Sequence, residues 1–184
     1  MGFLTKIFTK KIKQPEKNEW MSIVNNITGG LERVRTVWFI DCKFTIASLH
    51  ECTIINKELS GNAVIYAKTF QLYNACMFII QKQYISPSDV REFVDMLFYK
   101  VCAGNEISAT EYQNELSKFK SDAGRQAYMF ASDISAHLTG NKDPVCSMAI
   151  IPSLVRFVGE TNMIIANSFG DNKTSAKIAS KLGE

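Results

Sequence analysis

The chain of 184 residues has the length of one folded domain with short tails, and its composition, 46 % hydrophobic and 21 % charged, is that of an ordinary globular protein. Four prolines and ten glycines exclude a collagen-like or broadly disordered chain. The net charge of +3 resides in the two ends, because residues 1–17 carry +4 and residues 171–184 carry +1, which leaves −2 on 18–170. A body without net positive charge argues against nucleic-acid binding.

Residues 1–14 are predicted to form a basic amphipathic leader. In the segment FLTKIFTKKIK, residues 3–13, apolar side chains recur at helical spacing on one face and lysines fall on the other. Such a helix lies in a bilayer interface with its lysines near anionic headgroups. The alternatives are a leader that packs on the body and one without fixed structure. The expected membrane-contact residues are Phe3, Leu4, Lys6, Ile7, Phe8, Lys10, Lys11, Ile12 and Lys13.

The body, residues 15–170, is predicted to be all-α, an antiparallel bundle of about five long helices. A short helix near Trp20 is expected to end at Gly29-Gly30, and a long helix is expected from Leu31 to about Leu59. Both follow from bulky side chains that recur every three or four residues. The next segment, 63–84, is apolar nearly all round, which is typical of a helix at the centre of a bundle.

Start and stop signals mark the remaining helices. Ser86-Pro87-Ser88-Asp89 precedes a regular amphipathic stripe that ends before Gly104, and a capping-box pattern at 108–111 precedes a helix that ends at Gly140. Asp143-Pro144 opens a last long helix, 144–169, which Pro152 should kink or split. Residues 171–184 are expected to be a polar, frayed tail. Short connections predict antiparallel neighbours.

The cysteines at 42, 52, 76, 102 and 146 lack the CxxC spacing. An odd number of them without a secretory signal indicates reduced thiols, buried as small hydrophobic side chains in a cytoplasmic protein. The most apolar window, 63–80, is interrupted by Lys68, and the next, 145–158, is too short to cross a bilayer. No membrane span is therefore expected.

Catalytic motifs are absent from the sequence, which has no nucleotide-binding glycine loop, HExxH or GxSxG. Its two histidines, His50 and His137, have Ala47 and Ile134 three residues before them, which excludes the Glu-x-x-His pairs of a di-iron carboxylate bundle. We therefore expect no metal ion and no cofactor, and the absence of a catalytic constellation favours a non-enzymatic protein.

Five polar residues are candidates for a ligand pocket. Asp41 lies in the apolar run VWFIDCKF and must either face solvent or find a partner. A polar stripe on the helix 63–84 either lines a cavity or forms an exposed strip. His137 follows Asp133 by four residues, so the two side chains can meet on one helix face. His137 would then be either a general base oriented by Asp133 or half of a surface ion pair. The candidates are Asp41, Lys68, Gln71, Asn74 and His137.

The first functional hypothesis is a non-enzymatic helical-bundle protein that acts by protein–protein interaction. Its exposed apolar residues would dock a partner helix, while residues 3–13 would hold it at a membrane surface. The alternative is a small-ligand-binding or sensory bundle with a polar pocket near Lys68 and Asp41. A third is an enzyme whose site is not legible in sequence. A protein partner or a second copy of the chain fits the first hypothesis, and nucleic acid fits none.

Overall fold

The computed structural model describes residues 14–49, 52–102 and 123–183, with the side chains of 123–126 excepted. Within these ranges 79 % of the residues are helical and none lies in a strand. The prediction of an all-α fold is therefore confirmed. The leader at 1–13 lies outside the described residues.

In the described part of the chain six α-helices pack against one another, and a short 3-10 turn, Lys17–Glu19, leads into the first. The fifth helix is the centre of the arrangement, because it contacts the first, second, fourth and sixth. The finer prediction of an antiparallel five-helix bundle stays a prediction. The helices are α1 Trp20–Ala47, α2 Asn62–Lys82, α3 Val90–Cys102, α4 Ala123–Thr139, α5 Pro144–Ser168 and α6 Asn172–Leu182.

The boundaries of α1 correct the sequence prediction at both ends. The helix passes through Gly29-Gly30 without a break, and it stops at Ala47 instead of continuing to Leu59. After it, the backbone N–H groups of Ile55 and Asn56 donate to the carbonyl of Leu138, at distances of 2.8 and 3.2 Å. The connector between α1 and α2 thus supplies hydrogen-bond donors to a backbone carbonyl group in the last turn of α4. Helical periodicity in the sequence does not reveal this tertiary contact.

Gly30 lies inside α1 where α5 approaches its backbone so closely that a side chain would not fit. A Cβ atom built on Gly30 would collide with the side chain of Ile164, whereas one built on Gly29 meets nothing within 4 Å. Gly30 is buried and Gly29 is exposed. The glycine pair therefore marks a close approach of α1 and α5, and not a helix end.

The C-terminal part of the chain also differs from the prediction. Pro152 lies inside α5 without splitting it, and residues 172–182 form a helix in place of a frayed tail. Asp171 caps this helix by accepting from the N–H of Thr174 at 3.0 Å, and it also accepts from the hydroxyl of Tyr84 at 2.8 Å. The cap and the contact of Leu182 with α5 at Gly159 account for the order of α6.

The prediction of five reduced cysteines is wrong for two of them. Cys52 and Cys146 form a disulfide between the α1–α2 connector and the start of α5, with their Cα atoms 6.8 Å apart. Cys42, Cys76 and Cys102 are buried thiols, in agreement with the expected packing role. The sequence spacing of 94 residues gave no indication of the pair, because only the fold brings the two segments together.

The buried apolar side chains form two clusters along the helices. One cluster surrounds Trp20 and Phe93 at the end of the molecule where α1 begins. The other surrounds Trp38 and Phe157, whose rings stack at 4.6 Å. Gln71, which is 1 % exposed, is a buried polar residue that belongs to neither cluster.

Substitution of the two adjacent glycines should change the stability in opposite directions. Gly30→Ala should lower the free energy of unfolding by roughly 1–3 kcal/mol, because the added methyl overpacks the α1–α5 contact. Gly29→Ala should raise it by up to about 1 kcal/mol through helix propensity alone. Urea unfolding followed by circular dichroism measures both. Equal stability of the two variants would contradict the close approach at Gly30.

Candidate ligand-binding site

A pocket of about 260 Å³ opens between α1, α2 and α3. Its α1 wall comes from side chains three or four residues apart, which share one face of the helix. Lys68 enters from α2, and the last turn of α3 closes the third side. The lining residues are Thr28, Leu31, Glu32, Arg35, Lys68, Lys100 and Val101.

Lys68 is the unusual residue of this pocket, because its side chain is only 9 % exposed although it is cationic. Its Nζ atom donates to the carbonyl oxygen of Val101 at 3.3 Å. It makes no ion pair within the described ranges. Burial, and then the positive charge of Arg35, lowers the pKa of Lys68 below its usual value. Within the described residues no carboxylate is in ion-pair contact with this buried charge, although the charge of Glu32 acts on it from the same pocket. Burial of a cation in this way is unfavourable unless a ligand supplies a closer counter-charge.

Arg35 is a second cation of the pocket, half-buried, and Gln71 holds it in place. The Arg35 Nη1 atom donates to Gln71 Oε1 at 3.0 Å, and Gln71 Nε2 donates in turn to the Leu31 carbonyl at 2.9 Å and to Thr161 Oγ1 at 3.3 Å. Burial lowers the pKa of Arg35, but a guanidinium remains charged at any physiological pH. The network orients a planar fork of N–H donors beside the Lys68 amine.

The electrostatics of the pocket are positive. Three basic side chains, Arg35, Lys68 and the exposed Lys100, face one carboxylate, that of the exposed Glu32. Glu32 makes no ion pair with them within the 4.0 Å limit. The group that such a site can accept is a small anion, since carboxylates and phosphates match both the charge and the fork geometry.

The structure brings together two of the five residues predicted to line a pocket. Lys68 lines it directly, and Gln71 supports it through Arg35. Asn74 instead donates to the Phe70 carbonyl of its own helix at 2.8 Å. His137 Nε2 lies 2.8 Å from the carbonyl oxygen of Glu58, where it helps to fasten the α1–α2 connector.

Asp41 also lies away from the pocket. It is half-buried, and its charge acts on Arg156 of α5. The pKa of Arg156 is raised first by its hydrogen bond to Glu160 and further by Asp41. Asp133, which we expected to contact His137, instead forms an ion pair with Lys142 at 3.0 Å. The partner expected for Asp41 is therefore found on the surface between α1 and α5, and not in the pocket.

Sequence reasoning missed the α1 contribution to the pocket. Thr28, Glu32 and Arg35 recur at intervals of four and three, which places three polar residues on one face of the helix. That spacing is the signal that could have found them. The remaining predicted site residues are those of the leader at 3–13, which is outside the described part of the chain.

A group of possible metal-ligating atoms is already occupied within the protein. In the described residues, Cys52, Asp143 and Cys146 bring such atoms within 4.8 Å of one another. Both sulfur atoms belong to the disulfide, and Asp143 accepts hydrogen bonds from the backbone of Val145 and Cys146 at the start of α5. The fold therefore accounts for this cluster.

A second surface feature is an apolar stripe, here called the α1–α5 apolar face. The two helices lie side by side there, because Trp38 Nε1 donates to Ser153 Oγ at 3.2 Å and Cys42 Sγ is 3.4 Å from the same atom. The charge of Asp41 reaches Arg156 across the face. Its exposed apolar residues are Val37, Ile40 and Phe44 of α1 and Val145, Met148 and Val155 of α5.

Two helices in the described part of the chain, α2 and α5, are long and apolar enough to cross a membrane by length and composition. The sequence windows had indicated no span. Half of the apolar window of α2 and 28 % of that of α5 are buried in the fold. Core helices of water-soluble proteins satisfy the same criterion. The finding is thus compatible with membrane association, and it does not fix a location.

Comparison with known proteins finds no matching family, no similar curated protein and no similar solved structure. Inferences about function therefore rest on the geometry of the two surface features.

Replacement of Lys68 by the apolar residue Met should stabilise the protein at pH 7 by about 1 kcal/mol, because it removes a buried charge that has no carboxylate in ion-pair contact within the described residues. Since the folded-state pKa of Lys68 is lowered, the unfolded chain binds more protons between that pKa and 10.5, and wild-type stability rises with pH across this window. The advantage of Lys68→Met should therefore shrink towards pH 10.5. Urea unfolding at several pH values measures it.

The control for this series is Lys177→Met on the exposed side of α6. It removes a lysine without removing a buried charge, so its effect on stability should stay within about 0.5 kcal/mol. Lower stability of Lys68→Met than of wild type at pH 7 would show that the ammonium group stabilises the apo protein, against our interpretation of the pocket.

Proposed function

We propose that this domain binds a small anionic molecule in the pocket between α1, α2 and α3. The observation that supports the proposal is the buried Lys68 ammonium beside Arg35, without a carboxylate in ion-pair contact within the described residues. An anion would supply the missing counter-charge. This is the ligand-binding alternative of the sequence analysis, which we propose for Lys68 and Arg35 and no longer for Asp41.

The arrangement of donors favours binding over a purely structural role. A structural cation is normally paired with a carboxylate or extends its head group to water. Arg35 is instead held by a neutral amide, so that its charge is not cancelled. Lys100 lies exposed at the same opening and adds a third positive charge. Charge-assisted hydrogen bonds from such groups are roughly twice as strong as neutral ones, which favours a carboxylate or phosphate group.

Inorganic phosphate should stabilise the wild-type chain against chloride at the same ionic strength. A ligand at ten times its dissociation constant adds about 1.4 kcal/mol to the free energy of unfolding. The Lys68→Met variant should lose this gain, whereas Lys177→Met should keep it. Thermal unfolding and titration calorimetry at pH 7 measure the effect. A phosphate gain of equal size in both variants would show nonspecific ion binding and contradict the proposal.

The second candidate function is protein–protein interaction, which the α1–α5 apolar face supports. Phe44 is 72 % and Val155 is 68 % exposed, on two helices that pack against each other, and exposed apolar side chains on neighbouring helices are a feature of interaction sites. The face also carries one acidic and one basic residue, Asp41 and Arg156. Arg156 also pairs with Glu160 of its own helix at 2.8 Å, so the proposal rests on the apolar residues. A two-fold axis would bring the same apolar residues of two copies together, so the partner we propose is a second copy of the chain.

Sedimentation equilibrium tests this second proposal. The wild-type chain should form a dimer, and the double variant Phe44→Asp, Val155→Asp should be a monomer, because two buried carboxylates disfavour the apolar contact. Ile80→Asp is the matched control, since Ile80 is an exposed apolar residue of α2 outside the face. A monomeric wild-type chain at high concentration, or a dimer in the double variant, would contradict the proposal.

Membrane contact through residues 3–13 and a cytoplasmic location stay predictions. The two apolar helices are compatible with membrane association, and the Cys52–Cys146 disulfide is the observation that opposes a reducing compartment. Flotation with anionic vesicles, comparing the full chain with one that lacks residues 1–14, decides the membrane question. Equal recovery of the two chains would end it.

A further inference from the structure

Lys68 has a property that anion binding by itself does not use. A lysine amine becomes a nucleophile when its environment removes water from it or places it next to another cation. Both conditions hold here, because Lys68 is buried and shares the pocket with Arg35. Its Nζ atom also has a hydrogen bond to an uncharged acceptor, the Val101 carbonyl, and within the described residues no carboxylate is in ion-pair contact with it.

We propose that Lys68 forms a reversible imine with the carbonyl group of a small anionic aldehyde or keto acid, whose anionic group binds at Arg35 and Lys100. The inference rests on the proposed anion-binding function and adds the chemical class of the ligand. Arg35 and Lys100 line the same pocket of about 260 Å³ as the Lys68 amine. A ligand of a few carbon atoms can therefore span from one group to the other.

The step requires no group beyond the ligand and the amine. The lone pair of the neutral Nζ attacks the carbonyl carbon, and a C–N bond forms. The two amine protons pass to the carbonyl oxygen, which leaves as water, and a C=N bond remains. No oxidant or reductant takes part. The Val101 carbonyl accepts one N–H of the amine, which leaves the lone pair available for the attack.

The neighbours of Lys68 raise the fraction of its amine that is neutral at a given pH, although the ammonium form still exists for an anion to bind. Burial and the charge of Arg35 lower the pKa of Lys68, whereas Glu32 and Cys102 act in the opposite direction more weakly. The Cys102 thiol remains neutral, since burial raises its own pKa. Arg35 cannot take over the reaction, because a guanidinium does not deprotonate in proteins.

Reductive trapping tests the inference on the full chain. Glyoxylate is the probe, cyanoborohydride reduces any imine to a stable secondary amine, and peptide mass spectrometry locates the product. At pH 7 Lys68 should be modified at least about tenfold faster than the exposed Lys177, because activation by burial acts on the nucleophile itself. Propanal, an aldehyde without charge, should show a smaller preference, and phosphate should compete with glyoxylate.

The variant Lys68→Arg separates this inference from the proposed function. It keeps the positive charge and removes the nucleophile, so phosphate should still stabilise it while modification at position 68 disappears. If phosphate stabilises both chains but wild-type Lys68 reacts no faster than Lys177, the imine is refuted and anion binding stands. If Lys68 reacts selectively with glyoxylate and propanal alike and phosphate has no effect, anion binding fails and Lys68 is a reactive amine without anion recognition.

Discussion

The buried amide of Gln71 is the interaction on which the arrangement of α1, α2 and α5 depends. It donates to the backbone of α1 at Leu31 and to the side chain of Thr161 on α5, and it accepts from Arg35. A buried amide that loses its partners costs about 1–3 kcal/mol, so the three helices are held in the register that satisfies it. Apolar packing is not directional, so the two apolar clusters fix the register of the helices less strictly than these hydrogen bonds do.

The close approach at Gly30 makes that interaction attainable. With no side chain at this position, Ile164 packs against the α1 backbone, and Thr161 lies one turn away on the same helix. A larger residue at position 30 would displace α5 from the amide of Gln71. The pocket is thus a consequence of helix packing. The Gln71 amide that links α1 to α5 also holds Arg35 in the pocket of Lys68.

The pocket and the apolar face occupy different sides of α1. Thr28, Glu32 and Arg35 point to α2 and α3, whereas Val37 and Phe44 lie beside α5. One helix thus supplies residues to both surfaces. The charge buried at Lys68 opposes folding, and binding sites commonly carry such a cost in stability. The exposed apolar side chains are a similar departure from what stability alone requires.

Helical periodicity alone predicts that the protein is helical, where most of its helices begin, and that Lys68 and Gln71 are polar residues on an apolar helix. These properties depend on neighbours within one or two turns of the same segment. The packing of distant segments, in contrast, makes Gly30 a close contact, brings Cys52 to Cys146, and brings Arg35 and not Asp41 into the pocket of Lys68. Each of these depends on which segments, distant in the chain, pack against each other. A local pattern of side chains does not contain that information.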